Sequence, residues 1–371
     1  MSKLRSAAKL VGAQALGLFI VLNIVVWIVC LGFSTHALLE NYGPKLAAFS
    51  PSERMAKLPN YAGIDWTRTH FEEFHTLQSR YISHIGWRRE PFKGKTITLE
   101  GPYAQRATVG AAESGKPSVY FFGGSTMWGT GVDDANTIPS LVAQIGAFRA
   151  QNYGESGWTA HQSLALLILL LQEGHRPNVV VFYDGVNDVA HKCRQEITPT
   201  SHAREHQIRA AVSTTKAQHL YGLEHMLKPL MGLASEIQRA LPRSEAKLYD
   251  CHENRQEAQK IADNLLQDWD VARRLIESYG GKFIGILQPV AYYSNTRLDH
   301  LRSLGDARKR QYEAVYPLIK ERMAGRPDLY DFTAVLDRPE PVYIDFCHLS
   351  PNGNRYVAQK MVEVLKAARP E

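Results

Sequence analysis

Residues 178–188 read NVVVFYDGVND, an apolar run that stops abruptly at Asp184 and Gly185. A short run of β-branched and aromatic side chains between turn-forming residues predicts a strand that is buried on both faces. Strands of this kind belong to parallel sheets whose two faces are covered by helices. Residues 178–188 therefore favour an α/β fold.

The same alternation of apolar strands and helices runs through residues 118–371. The expected strands are Ser118–Phe122, Arg149–Tyr153, Asn178–Tyr183, Lys282–Leu287 and Leu329–Phe332, and the expected helices are Thr137–Phe148, Trp158–Leu171, Glu253–Tyr279, Asp306–Met323 and Pro351–Ala367. This order predicts a three-layer α/β/α sandwich with a mostly parallel sheet. Functional sites on such sheets lie beyond the carboxyl ends of the strands.

Two further segments lack this alternation. Residues 34–117 have no clear period, which predicts a stalk plus strands that pack on the main domain. Residues 194–250 predict a helical insertion, because apolar side chains recur there at steps of three and four, at Leu220, Leu223, Leu227, Leu230, Ala234, Ile237 and Leu241. A small helical cap and a lid or membrane-partner face both fit this stripe.

Three cysteines lie outside the N-terminal apolar run, and two of them bracket the insertion. A disulfide between Cys193 and Cys251 is the favoured arrangement in an oxidising compartment. Three free, buried thiols that include Cys347 are the alternative.

The N-terminal segment is a candidate membrane anchor, because no charged residue lies between Leu10 and Phe33. As a helix rising about 1.5 Å per residue, this run is long enough to cross a hydrocarbon layer of ~30 Å. It is too long for the apolar core of a cleaved signal peptide, which is the competing interpretation. Lys3, Arg5 and Lys9 precede it. Residues 1–33 thus predict a single-pass anchor with a cytoplasmic N-terminus and a large domain facing the periplasm or the extracellular side.

The charge balance argues against nucleic-acid binding. The formal net charge is +6, but without the three basic residues of the anchor the chain has 40 basic and 37 acidic residues. So small an excess over a large domain provides no basic surface for a polyphosphate.

Polar residues of the types that acyl transfer needs stand near the expected strand ends. The stretches are Gly123-Gly124-Ser125, Asn152-Tyr153-Gly154, Gly185-Val186-Asn187-Asp188 and Asp345-Phe346-Cys347-His348. A serine hydroxyl becomes a good nucleophile when an imidazole takes its proton, and a carboxylate must orient that imidazole. Asp345 and His348 are three residues apart, so one turn can hold both. The N–H groups of Ser125 and Gly154 and the side-chain amide of Asn187 are candidate donors to an oxyanion.

These blocks and their order resemble the SGNH hydrolases, also called GDSL esterases, over roughly residues 118–371. The Asn-x-Gly-x-x-Gly, Gly-x-Asn-Asp and Asp-x-x-His patterns match, whereas Gly124 stands where the family usually has aspartate. The resemblance implies a flavodoxin-like SGNH fold. It also implies that Ser125 is the nucleophile and the first oxyanion donor, with Gly154 and Asn187 as further donors. His348 would be the base and Asp345 its orienting partner.

Other chemistries fit these residues less well. Met127 stands where a Gly-x-Ser-x-Gly elbow needs its second glycine. No phosphate loop or dinucleotide fingerprint follows the first strand, so no cofactor is expected. No metal is expected either, because the candidate ligands His191, Cys193, Cys347 and His348 lack zinc-like spacing. Trp128, Tyr183 and Gln288 are candidates for substrate contact, and core packing is the favoured role of Trp128 and Tyr183.

The sequence predicts a serine-dependent ester hydrolase for O-acyl esters of an envelope glycan or lipid, with short acyl groups such as acetyl. One alternative is an O-acyltransferase that moves the acyl group onto a carbohydrate hydroxyl. Another is a non-catalytic glycan-binding component, for which Gly124 is the one indication in the sequence. A membrane-embedded acyltransferase or a polysaccharide-assembly protein is the kind of partner that an anchored domain of this type could serve.

Overall fold

The computed structural model describes residues 14–28, 51–110, 115–193, 201–205, 208, 251–301 and 304–368. The chain divides into two compact units, one of residues 1–50 with 204–245 and one of residues 51–203 with 246–371. In the first unit, residues 14–28 form a helix (α1), and the ends of the predicted anchor lie outside the described residues. No helix within the described ranges is both long enough and apolar enough to cross a membrane. The predicted stripe from Leu220 to Leu241 also lies outside those ranges.

The second unit holds all the named strands. They are β1 (Ser79–Ile82), β2 (Gly86–Arg89), β3 (Phe92–Lys93), β4 (Thr98–Glu100), β5 (Gln105–Arg106), β6 (Ser118–Gly123), β7 (Arg149–Asn152), β8 (Val179–Asp184), β9 (Lys282–Leu287) and β10 (Leu329–Asp331). Its α-helices are α2 (Pro51–Ala56), α3 (Thr67–Thr76), α4 (Ser125–Trp128), α5 (Ile138–Gly146), α6 (Ala160–Gln172), α7 (Val186–Lys192), α8 (Arg255–Ser278), α9 (Asp306–Met323) and α10 (Pro351–Ala367). Short 3-10 helices span Pro59–Tyr61 and Asp134–Asn136.

The sheet combines a parallel part with an antiparallel extension. Within the described residues it has eight strands in the order β10-β9-β8-β6-β7-β5-β4-β3, and β1 and β2 form a separate hairpin. The strands from β10 to β7 pair in parallel, whereas β5, β4 and β3 continue the sheet antiparallel beyond β7. The parallel strands follow the flavodoxin-like order 2-1-3-4-5, which has its switch point between β6 and β8. The prediction of an α/β fold with a mostly parallel sheet is confirmed.

Helices cover both faces of the parallel strands. Along β6, Val119 and Phe121 enter one hydrophobic core, and Tyr120 and Phe122 enter the other. The first core also contains residues of α5 and α10, and the second contains residues of α6, α8 and α9. Successive strand residues point to opposite faces, so an apolar strand feeds two cores at once.

Local capping explains where the long helices begin. Ser350 accepts a hydrogen bond from the N–H of Gly353, and Pro351 occupies the first turn of α10. Asn254 caps α8 in the same way through the N–H of Glu257. Side-chain acceptors at this position satisfy N–H groups that have no partner within the helix.

The disulfide prediction is confirmed. Cys193 and Cys251 are bonded, with Cα atoms 5.3 Å apart, while Cys347 is free and buried. The alternative of three free thiols is therefore wrong.

Candidate active site

Ser125 lies at the switch point of the sheet, where β6 passes into the short helix α4. Gly123 has φ +151°, and a Cβ there would lie 2.5 Å from the carbonyl oxygen of Tyr183 on β8. Only glycine permits this close approach of the two strands. Ser125 follows as the first residue of α4, so its N–H has no acceptor within the helix.

The structure brings Ser125, His348 and Asp345 into one hydrogen-bonded chain. His348 Nε2 lies 2.7 Å from Ser125 Oγ, and His348 Nδ1 lies 2.6 Å from Asp345 Oδ2. The other oxygen, Oδ1, accepts from the backbone N–H groups of His348 at 2.7 Å and Cys347 at 2.8 Å. These two donors fix the carboxylate on the turn that carries the imidazole, as the spacing of three predicted.

The electrostatics of this chain favour a basic imidazole. Burial acts to raise the pKa of the Asp345 carboxyl, but His348 and the two backbone N–H donors outweigh it and hold that pKa below its usual value. Desolvation acts to lower the pKa of His348, but the Asp345 carboxylate outweighs it and holds that pKa well above the usual 6.5. The carboxylate therefore stays ionised, and the ring binds a proton strongly.

Asn187 lies close to the nucleophile and accounts for the glycine at position 124. Its Nδ2 donates to the carbonyl of Trp158 at 2.8 Å, which leaves the second hydrogen of the amide for another acceptor. A Cβ on Gly124 would collide with this Nδ2. The amide thus occupies the space that a side chain before Ser125 would need.

Gly154 is placed against α4, but its N–H already has an acceptor. A Cβ on Gly154 would lie 2.5 Å from the backbone nitrogen of Trp128. The N–H donates to Asn152 Oδ1 at 3.0 Å, and Asn152 Nδ2 donates to the carbonyl of Met127 at 3.0 Å. Asn152 therefore ties the glycine loop to the helix of the nucleophile. Gly154 can serve an oxyanion only if its N–H is shared with, or released from, Asn152.

Two buried arginines, neither of them predicted from the sequence, hold the loops of the site. Arg88 is fully buried, donates to the carbonyls of Tyr153 at 2.8 Å and Gly154 at 3.2 Å, and lies 3.6 Å from the buried carboxylate of Glu155. Arg106, also buried, donates to the carbonyl of Gly129 at 2.6 Å just after α4. Residues 34–117 have no hydrophobic periodicity, so nothing in that part of the sequence indicates which of its arginines become buried.

The three predicted substrate contacts are buried side chains in this structure. Trp128 is 0% exposed and lies beneath the Arg106 guanidinium, at 4.4 Å from guanidinium carbon to ring centroid. Tyr183 is buried in the core beside β6. Gln288 is also buried, and its Nε2 donates to Thr126 Oγ1 at 3.2 Å. Trp128 and Tyr183 have the core-packing role, because their rings fill space between elements.

Two of the candidate metal ligands, Cys193 and His348, are engaged in other bonds. Cys193 is in the disulfide and offers no thiolate. Donor atoms of Asp345, Cys347 and His348 lie within 4.8 Å of one another, but Asp345 and His348 already bind each other. Burial raises the pKa of the Cys347 thiol to about 11, so the free thiol is protonated at neutral pH.

Comparisons with known proteins give structural neighbours only. No family model and no curated protein matches the chain. A member of the lipolytic protein G-D-S-L family from Veillonella parvula is 14% identical, with 67% of this chain and 98% of that chain covered and a TM-score of 0.40. A carbohydrate acetylesterase family member from Sinorhizobium meliloti is 14% identical, with 68% and 98% covered and a TM-score of 0.34. An acetyl xylan esterase is 17% identical, with 68% and 100% covered and a TM-score of 0.34. Similarity at this level assigns no activity to the chain.

Proposed function

We propose that the chain is a serine-dependent ester hydrolase with Ser125 as nucleophile, His348 as general base and Asp345 as its orienting partner. The observation that carries this proposal is the continuous chain from Ser125 Oγ through the imidazole to the Asp345 carboxylate, with links of 2.7 Å and 2.6 Å. Both distances are hydrogen-bond distances, as a nucleophile, its base and the group that orients the base require. The accompanying donors, the Ser125 N–H and the Asn187 amide, lie just beyond the carboxyl ends of the neighbouring strands β6 and β8.

The reaction then follows the two steps of a serine esterase. Ser125 Oγ attacks the carbonyl carbon of the ester while its proton passes to His348 Nε2. The bond between this carbon and the alcohol oxygen breaks, and His348 protonates the departing alcohol. Water attacks the acyl-enzyme, His348 takes one of its protons, and that proton returns to Ser125 as the acid leaves. The oxyanion of each intermediate receives hydrogen bonds from Ser125 N–H and Asn187.

The proposed substrates are short O-acyl esters, acetyl among them, of an envelope glycan or lipid. This proposal rests on the charge-free run from Leu10 to Phe33, which would hold the domain at the outer face of a membrane with the N-terminus inside. A partner in polysaccharide assembly or a membrane-embedded acyltransferase belongs to the same proposal. A carbohydrate hydroxyl in place of water at the second step would make the protein an O-acyltransferase.

The geometry around Gly124 supports the esterase proposal over the non-catalytic glycan-binding alternative. Gly124 departs from the family pattern, but Asn187 Nδ2 fills the space beside it. The glycine is thus part of how the candidate oxyanion donor is accommodated.

Covalent labelling tests the proposal before any substrate is known. A fluorophosphonate should label the full chain at Ser125, and the same preparation should release nitrophenol from short acyl esters. Ser125→Ala should abolish labelling and lower kcat by roughly a millionfold. The exposed Ser278 is the matched control, so Ser278→Ala should leave both measurements unchanged. Labelling that persists in Ser125→Ala would overturn the proposal, and added sugar acceptors would reveal transfer as an acylated product.

A further inference from the structure

A buried ion pair lies on the short helix that carries Asn187. Within α7, Lys192 Nζ lies 3.1 Å from Asp188 Oδ1, one helical turn away. The side chain of Lys192 is 0% exposed and that of Asp188 is 1% exposed, which is rare for charged residues. Because apolar side chains of similar size are often at least as stabilising, stability alone does not account for the pair.

Asn187 and Asp188 bind the same turn, which leads into α6. Asn187 Nδ2 donates to the carbonyl of Trp158 at 2.8 Å. The two carboxylate oxygens of Asp188 accept from the N–H of Ala160, each at 3.4 Å from its nitrogen. Neighbouring residues of α7 thus contact the turn through a donor and an acceptor. The distance between α7 and this turn therefore determines where the Asn187 amide lies.

The position of the Asn187 amide matters for the oxyanion. Its Nδ2 carries two hydrogens, and the hydrogen bond to Trp158 uses one of them. The same nitrogen lies against Gly124, the residue before the nucleophile. Displacing a catalytic group by about 1 Å can lower a rate roughly 100-fold. A small movement of α7 against the turn would therefore weaken the donor.

α7 is too short to hold this position by itself. It has seven residues, and isolated helices shorter than about 12–15 residues are marginal in water. At its beginning, Tyr312 Oη donates to the carbonyl of Val186 at 3.0 Å. At its end, the disulfide to Cys251 holds Cys193. Asp188 lies between these two attachments and connects the helix to the turn before α6.

Lys192 keeps the Asp188 carboxylate in place as an acceptor. A buried carboxylate without a cation is strongly unfavourable, so it would take up a proton or turn toward water. Burial and the Asp188 carboxylate raise the pKa of the neighbouring Asp184 well above its usual value. Asp184 is thus protonated at neutral pH and does not compete as an anion for Lys192.

We propose that Lys192 and Asp188 are positioning residues for the oxyanion donor Asn187. Lys192 holds the Asp188 carboxylate against the Ala160 N–H, and this contact keeps α7 at the distance from the turn that the donor amide needs. The inference rests on the proposed esterase function, since the oxyanion exists only during acyl transfer. Both side chains are buried and do not contact the substrate, so their loss should lower kcat and leave KM nearly unchanged.

Kinetics of the full chain on a short nitrophenyl ester test this role. Asn187→Ala should lower kcat roughly 100- to 1,000-fold, as the removal of an oxyanion donor does. Lys192→Met should lower kcat roughly 10- to 100-fold, because the amide is displaced but still present. The double variant should be no slower than Asn187→Ala, because Lys192 acts through that amide. Losses that multiply in the double variant would overturn the proposal.

Two neutral versions of the pair separate position from folding. Asp188→Asn with Lys192→Met leaves no stranded charge and keeps a side-chain oxygen for the Ala160 N–H, so it should recover most of kcat. Asp188→Leu with Lys192→Met also leaves no stranded charge but offers no acceptor, so its kcat should stay as low as that of Lys192→Met. Equal kcat in the two neutral variants would overturn the proposal, because the acceptor would then not matter.

Ile276→Ala is the matched control for lost stability. Ile276 is fully buried in α8 beside Gly281, which precedes β9 at the end of the sheet away from Ser125. The cavity should lower the unfolding midpoint, while kcat of the folded chain changes less than about twofold. If Ile276→Ala lowered kcat as much as Lys192→Met does, lost stability would explain both results and the proposal would be wrong.

The wild-type chain distinguishes this proposal from the esterase proposal. A wild-type chain that neither cleaves the ester nor reacts with a fluorophosphonate would overturn the esterase and with it the positioning role. An active wild-type chain with multiplying losses in the double variant would overturn the positioning role alone.

Discussion

The parallel strands and the N-terminal antiparallel strands contribute to the site in different ways. Ser125 and Asn187 follow parallel strands at the switch point, and His348 precedes the last helix of the same sandwich. Residues 51–110 provide none of the predicted reacting groups, yet they provide Arg88 and Arg106, which bind the backbone of both loops around the nucleophile. Some of the groups that position the reacting residues thus come from a part of the chain that provides no reacting group itself.

We expect the largest effect from the removal of Arg88, a buried side chain that positions the loops of the site. Arg88→Met removes the buried cation 3.6 Å from the Glu155 carboxylate and the donor to the carbonyls of Tyr153 and Gly154, while Arg89 still contacts Glu155. We therefore expect the free energy of unfolding to fall by about 3 kcal/mol. Urea unfolding of the full chain measures it. Arg88→Met combined with Glu155→Leu should recover part of the loss, because neither charge is then stranded.

The matched control for Arg88 is a surface arginine. Arg297 pairs with Asp299 at the surface, so Arg297→Met should leave the unfolding midpoint nearly unchanged. If Arg88→Met left the unfolding midpoint as nearly unchanged as Arg297→Met does, the N-terminal strands would extend the sheet without stabilising the site.

A smaller effect is expected for a substitution in the parallel part of the sheet, next to the candidate oxyanion donor Asn187. Gly124→Ala would push the Asn187 amide away from Ser125, so kcat should fall roughly 10- to 100-fold as an oxyanion donor is displaced. The melting temperature should be measured on the same sample. A fall in kcat without a fall in Tm supports the displacement, whereas an unchanged kcat shows that Asn187 is not needed there.

The shift in pH dependence is small in pH units, although the variant that tests it loses most of its activity. His348 accepts the serine proton only when its ring is neutral, and its pKa lies well above the usual 6.5 because Asp345 is beside it. Activity should therefore fall as the pH drops through that raised pKa, and the acid limb of kcat/KM should lie above pH 6.5. In Asp345→Asn the residual activity should show its acid limb at lower pH. A limb that does not move would mean that Asp345 is not what raises the pKa of His348.

The sequence predicted the parallel half well because its elements carry strong local signals. The bounds of α9 and α10 are those expected, and β8 lies within one residue of the NVVVFY run. The strands β3 and β5 have two residues each, too short for any hydrophobic period. Their pairing depends on contacts distant in sequence.

The site was predictable to a similar degree. The residue types of the triad and their order were evident, because acyl chemistry requires them. The hydrogen bond from the Gly154 N–H to the Asn152 side chain was not predicted, although the Asn-x-Gly pattern contains both residues. The burial of Gln288 against Thr126 depends on how β9 meets α4, which no local pattern encodes.

The covalent link between Cys193 and Cys251 has a consequence for how this protein can vary. The chain leaves and re-enters the sandwich at two points whose Cα atoms are 5.3 Å apart, although they are separated by 58 positions in sequence. A connection of a few residues could bridge that gap. The short gap would therefore accommodate intervening segments of different lengths, apart from residues 201–203, where His202 contacts Trp87 and Ala203 packs against the core.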